Sequence, residues 1–497
     1  MTRMLNRLVR TLTCGAAAAA LAGCAVGPNY MRPSAPVAAA YKEQPKGQSE
    51  GQSQGQGWSP VQPADLAPRG EWWSVFQDPT LSALEARVAI NNQNVVAAEA
   101  AYRQAEATVR EQRAALFPAI DLGGGATRSG GGRGSSGTVI TSGGGSVVTG
   151  VTGRSQNTYR ASANASWEPD VWGRIRRTIE GARGQAQASE ADLAGATLSA
   201  QGSLASDYFG LRSTDAQIAL LTEVVDGYRR SLQITQNRFN AGVAPHSDVL
   251  QAQSQLTSAQ GDLTNLANTR AAFEHAIAVL VGETPSSFSL PADPNWKGIV
   301  PQIPAGLPSA LLQRRPDIAG AERRAAAASA QIGVQEAAFF PSLTLTGSYG
   351  FSATELGSLF DAPASVWSFG GSLAQTLFDA GATRARVREA RAAYDQAVAE
   401  YRQTVLAAFQ DVEDQLAAQR VLAEEQAYRA QSADAAQAAA TMVLNQYKAG
   451  QVDYTSVVTA QATALNARRT LVQSTASRQT TAVSLVQALG GGWAAPF

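Results

Sequence analysis

Residues 237–253 read NRFNAGVAPHSDVLQAQ and residues 445–461 read NQYKAGQVDYTSVVTAQ. Asn237, Phe239, Ala241, Gly242, Val249, Ala252 and Gln253 of the first stretch answer to Asn445, Tyr447, Ala449, Gly450, Val457, Ala460 and Gln461 of the second, under one shift of 208 positions. The same shift carries Gly173 onto Gly381, so in each copy two glycines stand 69 positions apart. Self-similarity on this scale marks a duplicated architecture and outranks any single motif.

Between its glycines each copy reads as one very long helix. Proline is absent from both spans, and Ala, Gln, Arg, Glu and Leu dominate, all good helix formers. Leu204, Leu211, Ile218, Val225 and Leu232 recur every seventh residue, and Tyr394, Val398, Tyr401, Val405, Ala408 and Val412 step by four and three. That is coiled-coil spacing. A helix of about 70 residues rises roughly 105 Å, so the chain is built around rods.

Upstream of each rod the period changes. Phe117-Pro118 stops a helix expected from Pro79 to about Leu116, after aromatic residues Trp72, Trp73 and Phe76. Ile120 and Leu122 then alternate with Asp121 and Gly123, and the alternation resumes through Tyr159, Ala161, Ala163, Ala165 and Trp167 beyond a Gly/Ser/Thr/Val loop near 127–157. The second copy repeats this after Phe340-Pro341, with Leu343, Leu345, Gly347, Tyr349 and Phe351, then Trp367, Phe369, Gly371 and Leu373. From Pro118 to Gly173 is 55 positions and from Pro341 to Gly381 is 40; the glycine loop absorbs the 15 extra. Each half is therefore helix, β-hairpin, very long helix, glycine turn and returning helix.

The expected layout is a leader at 1–23, a lipid anchor and flexible tether at 24–70, and a first repeat at 71–281 with strands near 119–127 and 158–168. A proline-rich crossing loop at 282–308 leads to a second repeat at 309–497, with strands near 342–352 and 366–377. The leader carries Arg3, Arg7 and Arg10, then an apolar run too short to span a bilayer, and ends Leu21-Ala22-Gly23-Cys24, the pattern of a lipobox. Cleavage there leaves Cys24 to carry a covalent lipid, and Cys14 is discarded, so the mature chain has no internal disulfide.

Composition excludes other classes. The formal net charge is +0, so nothing steers the chain toward nucleic acid. The two histidines, His246 and His275, stand apart, and there is no H-E-x-x-H, G-x-S-x-G or P-loop; no enzyme, metal site or cofactor other than the lipid is expected. Two hairpins give four strands per chain, too few to close, and an open sheet edge is excluded from hydrocarbon. Membrane barrels begin at about eight strands, so an oligomer is needed if the hairpins enter a membrane. A lipid-anchored trimeric coiled-coil fibre, structural or adhesive, also accounts for the heptads, but not for duplicated hairpins or for a glycine reversal after the same 69 positions.

PTLSAL at 79–84, LLQRRPDIAGAERRAAAASAQIGVQEAAFFPSLTLTG at 311–347 and the C-terminal ALGGGW resemble the NodT-type lipoproteins among the outer-membrane factors of tripartite efflux systems, the group of OprM and TolC. The resemblance covers essentially the whole mature chain. It implies a TolC-like homotrimer, mainly α with a small 12-stranded membrane β-barrel, continued by an α-helical coiled-coil tunnel through the periplasm. It also implies a location in the outer membrane lipid and docking to a periplasmic adaptor and an inner-membrane pump of the RND type, through which drugs or other solutes leave.

In that family the glycine turns are tips that meet the adaptor. Carried over, the resemblance marks Arg238, Phe239, Ala241, Gly242 and Val243 on one tip and Tyr447, Ala449, Gly450 and Gln451 on the other; the glycines serve equally as helix C-caps. The family's gate carries acids in a D-x-x-D-A pattern ending here at Ala460. Ser456 and Thr459 stand at those acidic positions, leaving Asp248 and Asp453 as tip-level charges that also fit helix N-terminal capping.

Overall fold

The computed structural model describes residues 25–35, 38, 40–43, 70–130, 156–301, 303 and 314–491. The leader, Cys24, most of the Gln/Gly/Ser/Pro stretch, the interior of the glycine loop, the end of the crossing loop and the Gly492-Trp493 pair lie outside the described residues.

The duplication is exact in the helices. The long helices α3 (Arg174–Asn240) and α6 (Ala382–Lys448) have 67 residues each, and the returning helices α4 (His246–Leu280) and α7 (Tyr454–Ala488) have 35 each. All four boundaries obey the shift of 208. Before the hairpins, α2 (Gln93–Ala114) and α5 (Pro316–Ala337) have 22 residues each.

The single helix expected from Pro79 is two, α1 (Pro79–Asn91) and α2, broken at Asn92. Asp78 caps α1 by accepting from the N–H groups of Thr80 and Leu81 at 2.9 and 3.0 Å. Asn92 closes α1 and opens α2: its N–H reaches Val88 O, its side-chain oxygen accepts from Asn94 and Val95 N–H, and its amide donates to Leu280 O at 2.9 Å. A short polar side chain that can serve as its own cap, and that finds a third partner on α4, outcompetes helix continuation.

One compact unit comprises residues up to 31, 105–185 and 325–396. It holds an antiparallel sheet in the order β1 (Ala119–Ser129), β2 (Gln156–Trp167), β3 (Ser342–Ala353), β4 (Ser365–Ala374). The two hairpins are thus joined through β2 and β3, from Tyr159 opposite Ala353 to Trp167 opposite Leu345. β4 ends at Ala374, short of the expected 377, so Leu377 and Phe378 stand outside the ladder. In the same unit, Ala25–Asn29 is held at the start of α3. Val26 N–H donates to Trp172 O at 3.0 Å, and Arg177 donates to Val26 O, Gly27 O and Asn29 Oδ1.

The second unit comprises residues 32–104, 186–324 and 397 onward. Its core gathers Trp72, Phe76 and Leu81 with Leu204, Tyr208, Phe209 and Leu211 of α3, Ile277 of α4, Tyr401, Val405, Ala408 and Val412 of α6, and Leu485 of α7. Of the heptad residues picked from sequence, Leu204, Leu211, Tyr401, Val405, Ala408 and Val412 lie in this core, Ile218 and Val225 in a separate cluster along α3 and α4, and Tyr394 and Val398 in neither. Each fully buried large one in the core contributes about 1.5–3 kcal/mol. Beside it, Asp215 lies buried between Arg212 and Arg270 at 3.0 and 2.7 Å and accepts from Asp293 N–H. Arg270 donates to Leu290 O and Arg212 to Pro291 O, which ties the crossing loop to α3 and α4.

Part of the expected flexible tether is fixed. Ala35 and Tyr41 are buried in the core cluster. Lys42 and Glu43 N–H groups donate to the Glu413 carboxylate at 2.8 and 3.0 Å, Arg402 donates to Ser34 O, and Arg420 pairs with Glu43 at 2.8 Å. Low-complexity composition concealed a strap whose aromatic and charged residues find partners on α6.

Candidate functional site

Two regions carry the functional geometry, one in each unit. In the sheet, directly opposed residues of an antiparallel pair share a face. The register therefore collects Ile120 and Leu122 with Ala165 and Ala163, then with Gly347 and Tyr349, then with Phe369 and Trp367 on one face. That face is apolar and open: Leu122 is 87% exposed and Trp367 77%. The opposite face carries Asp121, Arg160, Ser162, Asn164, Thr346, Ser348 and Ser368, with the Ser348 and Ser368 hydroxyls 2.8 Å apart. Among the described residues, β1 and β4 each have a neighbour on one side only.

In the second unit, both long helices end in the same turn. Gly242 and Gly450 have φ of 74° and 77°, the left-handed conformation that disfavours any residue with a Cβ. Gly242 N–H donates to Phe239 O and Val243 N–H to Arg238 O; Gly450 N–H donates to Tyr447 O and Gln451 N–H to Gln446 O, all at 2.9 Å. This pair of bonds is the Schellman motif, which satisfies the last carbonyls and turns the chain out of the helix axis.

Side chains join the two tips within the protomer. Arg238, near the end of α3, donates through Nη1 to Tyr447 O and Lys448 O at 3.2 and 3.3 Å, the terminal carbonyls of α6. Its guanidinium also lies 4.8 Å from the centre of the Tyr447 ring. One cation thus neutralises the negative end of the neighbouring helix dipole and stacks on its aromatic residue. Tyr447 packs edge-on against Tyr454 at 5.2 Å, in a cluster with Ala252 and Val457. Phe239 meets His246 at 5.0 Å, while Val243, Ala241 and Gln451 are exposed.

The gate candidates divide. Asp453 caps α7: it accepts from Ser456 N–H and Oγ at 2.9 and 2.7 Å, and these bonds hold its carboxyl below the usual carboxylate range. Asp248 lies in the first turn of α4 but caps nothing, since Pro245 is the cap residue. Burial first, and then the charge of Asp453, raise its carboxyl above the ordinary value, with Arg238 and the Tyr447 hydroxyl pulling the other way. Ser456 and Thr459 are exposed, and Thr459 Oγ1 turns back to Thr455 O at 3.0 Å. Neither position 456 nor position 459 carries an acid.

The link from Arg238 to Tyr447 was not readable from sequence, because the partners stand 209 positions apart. The one hint is that the duplicated stretches differ there, Arg238 facing Gln446 across the shift. Among the described residues no group of His, Cys, Asp and Glu side chains is placed to hold a metal ion, and no helix is long and apolar enough to cross a membrane.

Comparison with known proteins brings both regions under one description. The outer membrane efflux protein family matches residues 85–283 and 307–491. The toluene efflux pump outer membrane protein TtgC of Pseudomonas putida is 31% identical over 475 residues, covering 95% of this chain and 93% of that protein. The cation efflux system protein CusC of Escherichia coli is 28% identical, covering 96% and 97%. The solved outer-membrane channel OprN superposes with a TM-score of 0.79 at 29% identity, over 95% of this chain and all of the other.

Proposed function

The chain belongs to the outer membrane efflux protein family and is an outer-membrane efflux channel, and from that premise we propose that three copies assemble into a passive duct closed at its glycine tips. The observation that carries this reading is the four-stranded sheet with an open apolar face and two unpaired edges. Such a sheet cannot remain alone in hydrocarbon, where every unpaired N–H and C=O costs several kcal/mol. If β1 of each copy pairs with β4 of the next, three copies give 12 strands, with the apolar face toward lipid and the Asp121, Arg160 and Asn164 face toward the lumen. A fibre has no use for that arrangement.

The lipid on Cys24 belongs to the same proposal. Its neighbour Ala25 is seated against Gly173, a few residues past the end of β2, where a Cβ on the glycine would fall 2.7 Å from the Ala25 Cα. Energy comes from an inner-membrane pump of the RND type, and a periplasmic adaptor joins pump to channel at the tips. Phe239 and Val243, both exposed, offer that adaptor an apolar foothold at the first tip. At the second tip the aromatic residue, Tyr447, is buried within its own protomer while the turn itself is exposed, and this tip is the element that moves. The cargo is set upstream: relatives of similar overall identity are named for toluene and for cations, and a conduit need not bind what it passes.

Gating is the relaxation of α6 and α7 near Gly450–Ala460 once the adaptor docks. Ser456→Cys, oxidised to a bridge between subunits, is expected to abolish export while trimer assembly stays intact, and reduction is expected to restore it. Normal export through the bridged trimer would sink the gate.

A further inference from the structure

The beginnings of the two long helices point to a second membrane contact. Both α3 and α6 start a few residues after a strand, and both carry several arginines in their opening turns. Cations there oppose the positive end of the helix dipole and need compensation. In α3 they have it: Arg174 pairs with Glu168 at 2.8 Å, Arg176 with Asp170 at 3.2 Å, and Arg177 with Glu180 at 2.7 Å. In α6 they do not. Asp379 is spent on Gly381 N–H and on Thr383, and Glu336 on Arg391. Among the described residues no hydrogen bond or ion pair engages Arg384, Arg386 or Arg388, and all three are exposed. Under the 208 shift Arg388 replaces Glu180, reversing the sign of the charge, and Glu389 is the one acid between 382 and 394.

Their place in the unit supplies the partner. At the same end of the sheet, Phe117, Phe340 and Phe378 are exposed, and Trp167 and Trp172 are only partly covered, their indole N–H groups held by Leu116 O and Pro341 O. Amphipathic rings tethered by one polar atom mark a hydrocarbon boundary. Arg384 to Arg388 follow within about 10 Å of the start of α6. The headgroup layer beyond the hydrocarbon is about 5–7 Å thick, and an arginine side chain reaches further than that. We propose that Arg384, Arg386 and Arg388 bind the phosphates of anionic phospholipid headgroups in the leaflet on the helical side of the sheet. The inference rests on the membrane reading of that sheet. The second repeat is then held to the leaflet by charge, whereas in the first the corresponding arginines are spent on ion pairs within the chain.

The test uses the full-length trimer in phosphatidylcholine vesicles containing brominated phosphatidylglycerol, which quenches the tryptophans near the sheet. Insertion is scored separately, by protection of the sheet from added protease. Wild type is expected to prefer phosphatidylglycerol to phosphatidylcholine, each arginine contributing about fivefold at low salt. The preference should fall to parity in the Arg384→Gln/Arg386→Gln/Arg388→Gln protein and persist in the corresponding triple Lys protein. Inserted wild type with no preference, or a preference that survives the triple Gln change, overturns the inference and leaves the channel standing. Loss of the trimer in detergent on triple Gln substitution also overturns it, since the arginines then face a second copy. Failure of wild type to insert removes the channel reading and this inference together.

Discussion

Phe239 and Tyr447 occupy the same place in the two copies of the repeat, two residues before the turn, and the turns after them have the same hydrogen bonds. Phe239 is nevertheless 37% exposed and Tyr447 only 3%. Each ring has an aromatic neighbour at the equivalent position, His246 for the first and Tyr454 for the second. The difference is Arg238, which lies over Tyr447 and caps its helix, whereas the residue equivalent to Arg238 in the second copy is Gln446. Duplication fixed the path of the backbone, and one unmatched cation then made one tip an exposed apolar surface and the other a packed latch.

The comparison can be broken most forcefully at the latch. Tyr447→Ala removes a buried ring from the Tyr454 and Val457 cluster, and truncating a buried aromatic costs about 3–5 kcal/mol. Trypsin cleavage after Lys448 in the assembled channel is expected to quicken by at least about a hundredfold. Phe239→Ala, the same truncation on the exposed tip, should leave tip proteolysis within about threefold of wild type and weaken adaptor binding instead. Equal proteolysis in the two proteins would mean that the tips are equivalent after all.

Arg238→Ala is the next smaller perturbation. It removes two charge-assisted bonds to terminal carbonyls and one cation–π contact, together about 1–3 kcal/mol. Raised open probability in a planar bilayer is expected, and Arg238→Lys should recover only part of the closure, because an ammonium cannot stack and fork as a guanidinium does.

The smallest effect concerns protons. Asp248 has a folded value raised above its ordinary 3.8, so the folded tip prefers the neutral form. Its stabilising contribution is complete below 3.8 and is lost as pH rises through the raised value. Asp453, shifted down, keeps its contribution above 3.8 and loses it only below. Between 3.8 and the raised value Asp248 acts alone of the two, so acidification through that window should stabilise the folded tip, read as slower proteolysis there. Asp248→Asn should remove that pH dependence, and Asp453→Asn should only narrow the window, because burial, the larger cause of the raised value, remains.

Much of this was readable in advance for a physical reason: the glycines, the absence of proline and the heptads act through local geometry, and local geometry survives in a sequence. The shift of 208 even predicts the last residue of α6 from that of α3. What was hidden depends on contacts between distant residues. Periodicity does not say that β2 pairs with β3, and it does not assign a target to Arg238. Asn92 reads as an ordinary helix residue until Leu280 O is placed beside it. The segment from Ser34 to Glu43 reads as tether because its few ordering residues, Tyr41 and Glu43, stand among alanines and a proline and run straight into a glutamine- and glycine-rich stretch. That Ser456 and Thr459 are not acids was visible from sequence, and both are exposed.

Single-channel recording of the purified full-length trimer in a planar bilayer, with and without Thr459→Asp, tests the central claim most directly. A duct narrowed at the second tip predicts a small, mostly closed conductance in wild type that becomes markedly more cation-selective when a ring of carboxylates is placed at position 459. Insertion of the folded trimer with a pore whose selectivity Thr459→Asp leaves unchanged would contradict it, because the constriction would then lie away from Gly450–Ala460.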